Sequence, residues 1–344
     1  LLVLDEPTAV LTPQEVDELF VILRGMCERG RALIFISHKL HEVMELSDRI
    51  TVLRDGRVVG ETTPDQTSPE GLAQMMVGRP VKMAPDKEDV EPGAPLLAIE
   101  GLTVRGDRDQ VAVDGVDLEV RSGEILGIAG VSGNGQRELA EAIAGLREVE
   151  SGRIELVGHD VTGAEPRAVR EAGLSYVPEE RMKEGAVGDF TVAENLMLLN
   201  HAEEQYCRHG VLRFGPMREH CSELVRSYRV KTPSLNTTVK SLSGGNIQKL
   251  ILARELAAAP KVLLAAQPTR GVDIGAAEYI HDQLVKRRTE GMGILLISED
   301  LDEVLGLSDR IAVMFEGRIV GIVDRAGAKV EELGLLMAGS TASA

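Results

Sequence analysis

The sequence predicts an α/β chain in which one domain type, built on a doubly wound parallel sheet, occurs twice. Three observations carry that expectation. Residues 1 to 78 align without a gap on residues 262 to 339 at a constant offset of 261: LLVLDEPT lies over VLLAAQPT, LSDRI over LSDRI, DGRVVG over EGRIVG and MMVG over LMAG. Self-similarity on that scale marks a repeated structural unit. Within the repeat, apolar runs of strand length end in polar residues and flank a helix-length run, the β–α–β pattern of a parallel sheet. Upstream of the second copy, EILGIAGVSGNGQREL reads as an apolar strand, a glycine loop and a helix.

The second copy runs about 165 residues from Leu96 before it reaches the shared part. The first copy is therefore expected to lack a similar length on its N-terminal side, and the opening Leu-Leu-Val-Leu carries no initiator Met. The expected organisation is the C-terminal part of a first domain over 1–78, a linker over 79–95 and a complete second domain over 96–339. Four prolines and a run of charges in the linker favour an extended, solvated connection.

Composition narrows the function classes. At 344 residues with 43% apolar residues, 3% aromatic and no tryptophan, the chain has material for two aliphatic α/β cores. A formal charge of −17 argues against nucleic-acid binding, which needs a basic stripe. No run of eighteen apolar residues is present to span a membrane. Cys27, Cys207 and Cys221 form no CxxC and no His–Cys cluster, which argues against a thiolate metal site and fits a reducing cytosol.

Taken in order, a strand at Leu1–Leu4 delivers Asp5 and Glu6 to its C-terminal end, where open parallel sheets bind ligands. A helix from about Pro13 to Arg29 crosses to a second strand, Leu33–Ser37, which delivers His38 to the same edge, and short strands near Ile50–Leu53 and Arg57–Val59 close this part. In the second copy a strand-rich segment, Leu97–Val120, precedes the glycine loop. Gly130 and Gly135 stand five apart, as GxxxxG requires, with Gly133 between them. The Lys and Ser/Thr that should follow are replaced by Gln136 and Arg137. Loss of the lysine removes a point charge worth around 4 kcal/mol at surface-like dielectric before desolvation. Arg137 lies one helical position late, about 100° away.

Between Val177 and Lys240 the pattern is mostly helical. Then comes KSLSGGNIQKLILAREL, Lys240–Leu256. A Ser-Gly-Gly turn opens a helix with Ile247, Leu250, Ile251 and Leu256 on one buried face, leaving an outward N-terminus suited to an anion. Gly244 and Gly245 permit close approach, Ser243 adds a hydroxyl, and Asn246 and Gln248 follow.

LSGGNxQ ahead of an apolar strand ending in Pro-Thr resembles the signature motif of ATP-binding cassette (ABC) ATPases. LDEPT, followed by a strand ending in SHK, resembles that family's Walker B motif and switch histidine. The resemblance implies a P-loop NTPase cassette with a parallel-sheet core, an antiparallel β subdomain and a helical subdomain. It implies that Asp5 holds Mg²⁺ through water, Glu6 is the general base for ATP hydrolysis and His38 contacts the γ-phosphate. Gly130, Gly133, Gly135 and Gln136 line the second P-loop, and Ser243, Gly244, Gly245, Asn246, Gln248 and Asp273 serve nucleotide from the signature and the RGVD loop. Where the first copy has Asp5, Glu6 and His38, the second has Ala266, Gln267 and Glu299; Glu179 stands at the usual glutamine of SYVPEERMKEG, and no aromatic lies near Val104 for adenine stacking. Conversely, AVLT at 9–12 lacks the aspartate that the second copy keeps as Asp273.

ABC cassettes pair head to tail. The resemblance therefore implies one hydrolytic composite site, using Asp5, Glu6 and His38 with Ser243, Gly245 and Gln248, and one degenerate site. The whole chain resembles the double-cassette ATPase of bacterial sugar and nucleoside importers, most closely the nucleoside-uptake branch. That implies two membrane permeases, an extracytoplasmic substrate-binding protein and a location on the cytoplasmic face of the membrane. Pentose or hexose uptake is the alternative within the class. A soluble double-cassette factor acting on ribosomes or DNA would need basic surfaces and a long helical linker, and this chain has neither feature. The fragment alone is expected to be inactive.

Overall fold

A computed structural model of the chain describes residues 1–8, 11, 13–37, 39–54, 56–82, 85–337 and 339. They form two compact units, Leu1–Ala84 with Asp273–Glu278, and Pro85–Val272 with Tyr279–Ala344.

In the first unit β1 (Leu2–Asp5) runs parallel to β2 (Leu33–Ile36), with Asp5 opposite Ile36. The crossover helix α1 (Pro13–Glu28) buries Phe20 and Leu23, and Phe20 meets Phe35 of β2 edge-on at 6.1 Å between centroids. Next come α2 (Leu40–Leu46), the antiparallel hairpin β3 (Ile50–Arg54) and β4 (Arg57–Thr62), and α3 (Pro69–Val77). The ends of α3 are written in its sequence: Ser68 accepts a bond from the Gly71 N–H, Pro69 fills the first turn, and Gly78 leaves at φ 85°. Leu40, Ile50, Val52, Leu72 and Ala73 make the core of this unit.

The second unit opens with β5 (Pro95–Arg105), β6 (Val111–Arg121), β7 (Ile125–Ala129), α4 (Gln136–Ile143), β8 (Ser151–Leu156), β9 (His159–Asp160), α5 (Pro166–Glu171) and β10 (Leu174–Val177). A π-helical turn at Arg181–Gly185 leads into α6 (Val192–Met197), the small hairpin β11 (Cys207–Arg208) and β12 (Val211–Leu212), and α7 (Phe214–Ser227). Then follow α8 (Gly244–Ala257), β13 (Val262–Ala266), α9 (Ile274–Thr289), β14 (Gly293–Ser298), α10 (Leu301–Leu307), β15 (Arg310–Phe315), β16 (Arg318–Asp324) and α11 (Val330–Met337). The main sheet has the order β10-β13-β14-β7-β15-β16, parallel except for the edge strand β16. Every residue of β7, β13 and β14 is buried, as strands covered on both faces require. A separate antiparallel sheet runs β6-β5-β8-β9.

The repeat reappears element by element. Shifted by 261, α1 and α2 fall residue for residue on α9 and α10, and β1, β2, β3, β4 and α3 fall on β13, β14, β15, β16 and α11 with ends shifted by at most one residue. One difference follows from what lies between: in the second unit β7 separates β14 from β15, whereas β1–β2 and β3–β4 are two separate sheets. The outer positions Val3, Ile34 and Ile36 are about half exposed, while their counterparts are buried.

Three sequence expectations need correction. The segment from Pro85 is not solvated throughout: the Lys87 ammonium donates to the Leu307 and Ser308 carbonyls at 2.7 and 2.8 Å and pairs with Asp309 at 2.8 Å. Its burial holds the Lys87 pKa down, with the Asp309 contact acting the other way. The helix α8 buries far more than one face, including Leu252, Ala253, Arg254 and Glu255, because it is packed between α6, α7 and β10. Arg254 and Glu255 tolerate this by pairing with each other at 2.9 Å, and Arg170 adds a bond to Glu255 at 2.7 Å. The helical stretch after Val177 also contains the β11–β12 hairpin, too short to leave a period-two pattern.

Candidate nucleotide site

The glycine loop between β7 and α4 is shaped by close backbone approach. Gly135 has φ 98°, and a Cβ there would lie 2.1 Å from the Ala112 carbonyl oxygen. A Cβ on Gly130 would lie 2.5 Å from Gln136 Nε2. That contact reveals what the loop holds. Gln136, only 8% exposed, donates from Nε2 to the Val131 carbonyl at 2.9 Å, and its Oε1 accepts from the Asn134 N–H at 3.1 Å. Asn134 Nδ2 donates to the same Val131 carbonyl at 3.1 Å. A backbone donor that a P-loop would offer to phosphate is thus satisfied by the chain itself.

Arg137 is no substitute for the lysine. Its guanidinium pairs with Glu141 at 2.7 Å and lies 3.7 Å from Glu184. A cleft of about 300 Å³ opens beside the loop, lined by Ser132, Tyr176, Ala266 and Gln267 and by the carboxylates of Glu138, Glu179, Glu180, Glu184 and Glu299. Glu179 is ion-paired with Arg270; burial nonetheless raises its pKa, with Glu299 and Glu180 adding to the rise. Gln267 is turned toward the neighbouring strand end, its Oε1 accepting from the Glu299 N–H at 3.3 Å. Val104 is fully buried in the β5 core, so the position itself offers no stacking face.

In the first unit Asp5 closes β1 and, with Glu6, is exposed. Glu6 has φ 44° and Gln267, at the matching position, φ 49°. Each donates its backbone N–H to the next strand, Glu6 to Ile36 at 2.9 Å and Gln267 to Ile297 at 2.8 Å. A left-handed non-glycine residue is costly and persists only where its surroundings over-determine it. His38 and the AVLT residues Ala9, Val10 and Thr12 lie outside the described residues.

At the signature, Ser243 caps α8 by position without a side-chain bond to the helix backbone; its Oγ instead accepts from Asn246 Nδ2 at 2.8 Å, and Asn246 Oδ1 accepts from the Lys231 N–H at 2.8 Å. Gln248 is 3% exposed and packed inside, so it does not belong to the exposed helix start with Ser243. Gly245 is buried as well. Asp273 caps α9, its carboxylate accepting from the Ala276 N–H at 2.9 Å.

One residue here escaped sequence reasoning. Arg181, within the quoted SYVPEERMKEG, donates from Nη2 to the Gly271 carbonyl at 3.0 Å, and a Cβ on Gly244 would lie 3.2 Å from its Nη1. It therefore ties the π-helical turn to the RGV loop beside the signature. The arginine stands in the sequence, but no spacing rule connects it to Gly244, 63 residues on.

Comparison with known proteins agrees with this architecture. The family model described as ABC transporter matches residues 113–270. A glucose import ATP-binding protein of Haloferax volcanii is 48% identical over 98% of this chain and 62% of its own length. A guanosine import ATP-binding protein of Bacillus subtilis is 46% identical, covering 99% and 67%, and a nucleoside import ATP-binding protein of Lactococcus lactis subsp. cremoris is 42% identical, covering 98% and 67%. The chain thus spans about two thirds of the length of these relatives or slightly less. A dimeric bacterial ABC transporter cassette has the same fold, with a TM-score of 0.58 and 20% identity over 68% of this chain and 100% of its own. The glycine loop, the signature helix and relatives of this similarity together show that the chain belongs to the ABC transporter family, among the ATP-binding proteins of its sugar and nucleoside importers.

Proposed function

We propose that the chain is part of a two-cassette ATPase that drives nucleoside uptake, with hydrolysis confined to the cassette to which residues 1–78 belong. The observation that supports this most directly is the contrast at one repeated position: Glu6 and Gln267 share a backbone conformation, and only Glu6 can take a proton. Glu6 accepts a proton from water as that water attacks the γ-phosphoryl group in line, the bond to the β-phosphate oxygen breaks, and ADP and phosphate leave. His38 donates to a γ-phosphate oxygen. Asp5 suits Mg²⁺, which keeps several waters and takes one or two carboxylates with substrate phosphates; the ion, when bound, offsets the phosphate charge. Ser243, Gly244 and Asn246, at the start of α8, complete a nucleotide site built mainly by another cassette. Gly130, Gly133, Gly135 and Gln136 keep the shape of a P-loop without its charge.

The partners are two membrane permeases and, through them, an extracytoplasmic binding protein, with this subunit on the cytoplasmic face. Among the described residues no helix is long and apolar enough to cross a membrane. The nucleoside reading rests on GVSGNGQREL, VPEERMKEGAVGDFTVAENL and the neutral AAQPT, and on the relatives named for guanosine and nucleoside import. Sugar uptake is the second reading, favoured by the 48% identity to a glucose import protein. Proteoliposomes holding the complete transporter decide between them: nucleoside uptake that Glu6→Gln abolishes supports the proposal, and uptake of ribose or glucose in its place refutes the substrate assignment.

A further inference from the structure

One buried carboxylate recurs at the same position in both copies and makes the same connection. Glu42, on α2, is 0% exposed, and its Oε2 accepts from Thr8 Oγ1 at 2.8 Å and from Ser37 Oγ at 3.0 Å. Its Oε1 is buried without a hydrogen bond, 3.4 Å from the Lys39 ammonium. Glu303, on α10 and 4% exposed, accepts from Thr269 Oγ1 at 2.6 Å and lies 2.8 Å from His281 Nε2, and the Ser298 hydroxyl also bonds to it. Thr8 and Thr269, Ser37 and Ser298, and Glu42 and Glu303 are identical pairs at the 261 offset. Each carboxylate clasps the turn leaving one strand to the end of the next.

We propose that Glu42 is a positioning residue for ATP hydrolysis: through Thr8 and Ser37 it holds the left-handed turn that aims Glu6. The argument rests on Glu6 being the base, as proposed above. A residue at φ 44° needs fixed neighbours, and Thr8, two residues on and 1% exposed, is held by its only side-chain oxygen. The second copy keeps both the clasp and the left-handed turn, although Gln267 can take no proton and Glu299 replaces the imidazole. A clasp retained where the chemistry is gone acts on backbone geometry. Charge-assisted bonds to a buried carboxylate are strong enough for that role.

The test uses the full-length protein assembled with its permeases, and reads kcat and KM for ATP. Thr8→Val keeps the shape, removes one bond and should lower kcat about tenfold with KM within twofold. Glu42→Ala should lower kcat further with the same split, and Glu42→Gln, whose carbonyl still accepts from a hydroxyl, should recover most of that loss. Wild-type kcat in either Thr8→Val or Glu42→Ala would overturn the proposal, as would a loss carried in KM. Glu6→Gln is run beside them: if it keeps its turnover, the assignment of Glu6 fails instead, whereas a dead Glu6→Gln beside a fully active Thr8→Val sinks the positioning role alone.

Discussion

The loop closed by Gln136 makes a quantitative prediction about nucleotide binding. A lysine at this position would sit ~4 Å from phosphate and contribute around 4 kcal/mol at surface-like dielectric before desolvation, or about 2 net. Glu299, in place of an imidazole and ~5 Å from a γ-phosphate, adds roughly 3 kcal/mol of repulsion on the same scale. Together these remove about 5 kcal/mol, so a site that would bind at about 1 µM binds at millimolar concentrations or weaker. ATP must also displace the Gln136 carbonyl from the Asn134 N–H, a 3.1 Å bond already made. Gln136→Lys in the 344-residue chain should strengthen binding about thirtyfold. Adding Glu299→His should bring the gain to about five thousandfold. Equilibrium titration with a fluorescent ATP analogue measures each step, with the wild type as reference. Micromolar binding by the wild-type chain, or a Gln136→Lys variant no tighter than it, would refute the reasoning.

Restoring Gln267→Glu should leave transporter ATPase within about twofold of wild type, because Ala266 still offers magnesium no carboxylate; a severalfold rise in steady-state turnover would contradict the dead-site assignment. Ser243→Ala should cost well under about 1 kcal/mol of stability, since its hydroxyl makes no bond to the helix backbone, yet lower transporter turnover about tenfold; thermal melts and phosphate release on one preparation separate the two effects. His281→Phe should destabilise the chain by about 1–3 kcal/mol at pH 7, because it takes a hydrogen-bond partner from a buried carboxylate. Burial raises the Glu303 pKa, but the His281 bond and charge and the Ser298 and Thr269 hydroxyls more than offset it, so the folded pKa lies below 4.5. Its stabilisation is then complete above about pH 4.5 and lost as pH falls through the folded value, so the acid-unfolding midpoint should move up in the variant; an unmoved midpoint would show that the pair contributes nothing.

Much of the fold was legible because the repeat is gapless: once DGRVVG lies over EGRIVG, the elements of one copy predict those of the other. Asp5, Glu6, Gln136 and Ser243 were legible because strand ends and glycine turns fix position from local sequence alone. What escaped depended on distant partners. Gln248 follows the signature at motif spacing, yet helical rotation carries it inward to 3% exposure. The linker prolines and charges predicted solvent, and Lys87 instead found carbonyls at the end of α10, 220 residues on. Glu42 and Glu303 were visible as an identical pair, but nothing local distinguishes a buried glutamate on a seven-residue helix from a solvated one.

Differences within the clasp show how the copies diverged without losing it. In the first copy a lysine at 39 stands 3.4 Å from Glu42, and the crossover-helix position that matches His281 at the 261 offset is the buried Phe20. In the second copy the lysine is replaced by Asp300, which caps α10 by accepting from the Asp302 and Glu303 N–H groups at 3.0 and 3.4 Å. That exchange puts a like charge beside Glu303; burial, Glu303 and Asp302 all push the Asp300 pKa up. The partner on that side comes from the crossover helix, where the His281 imidazole, with Nε2 2.8 Å from Glu303, occupies the place of Phe20. A partner lost on one side of the carboxylate is thus matched by a partner on the other. Keeping a partner for the buried glutamate in a copy with Gln267 and Gln136 at the positions of the proposed base and of the P-loop lysine fits a contribution to the shape of the turn.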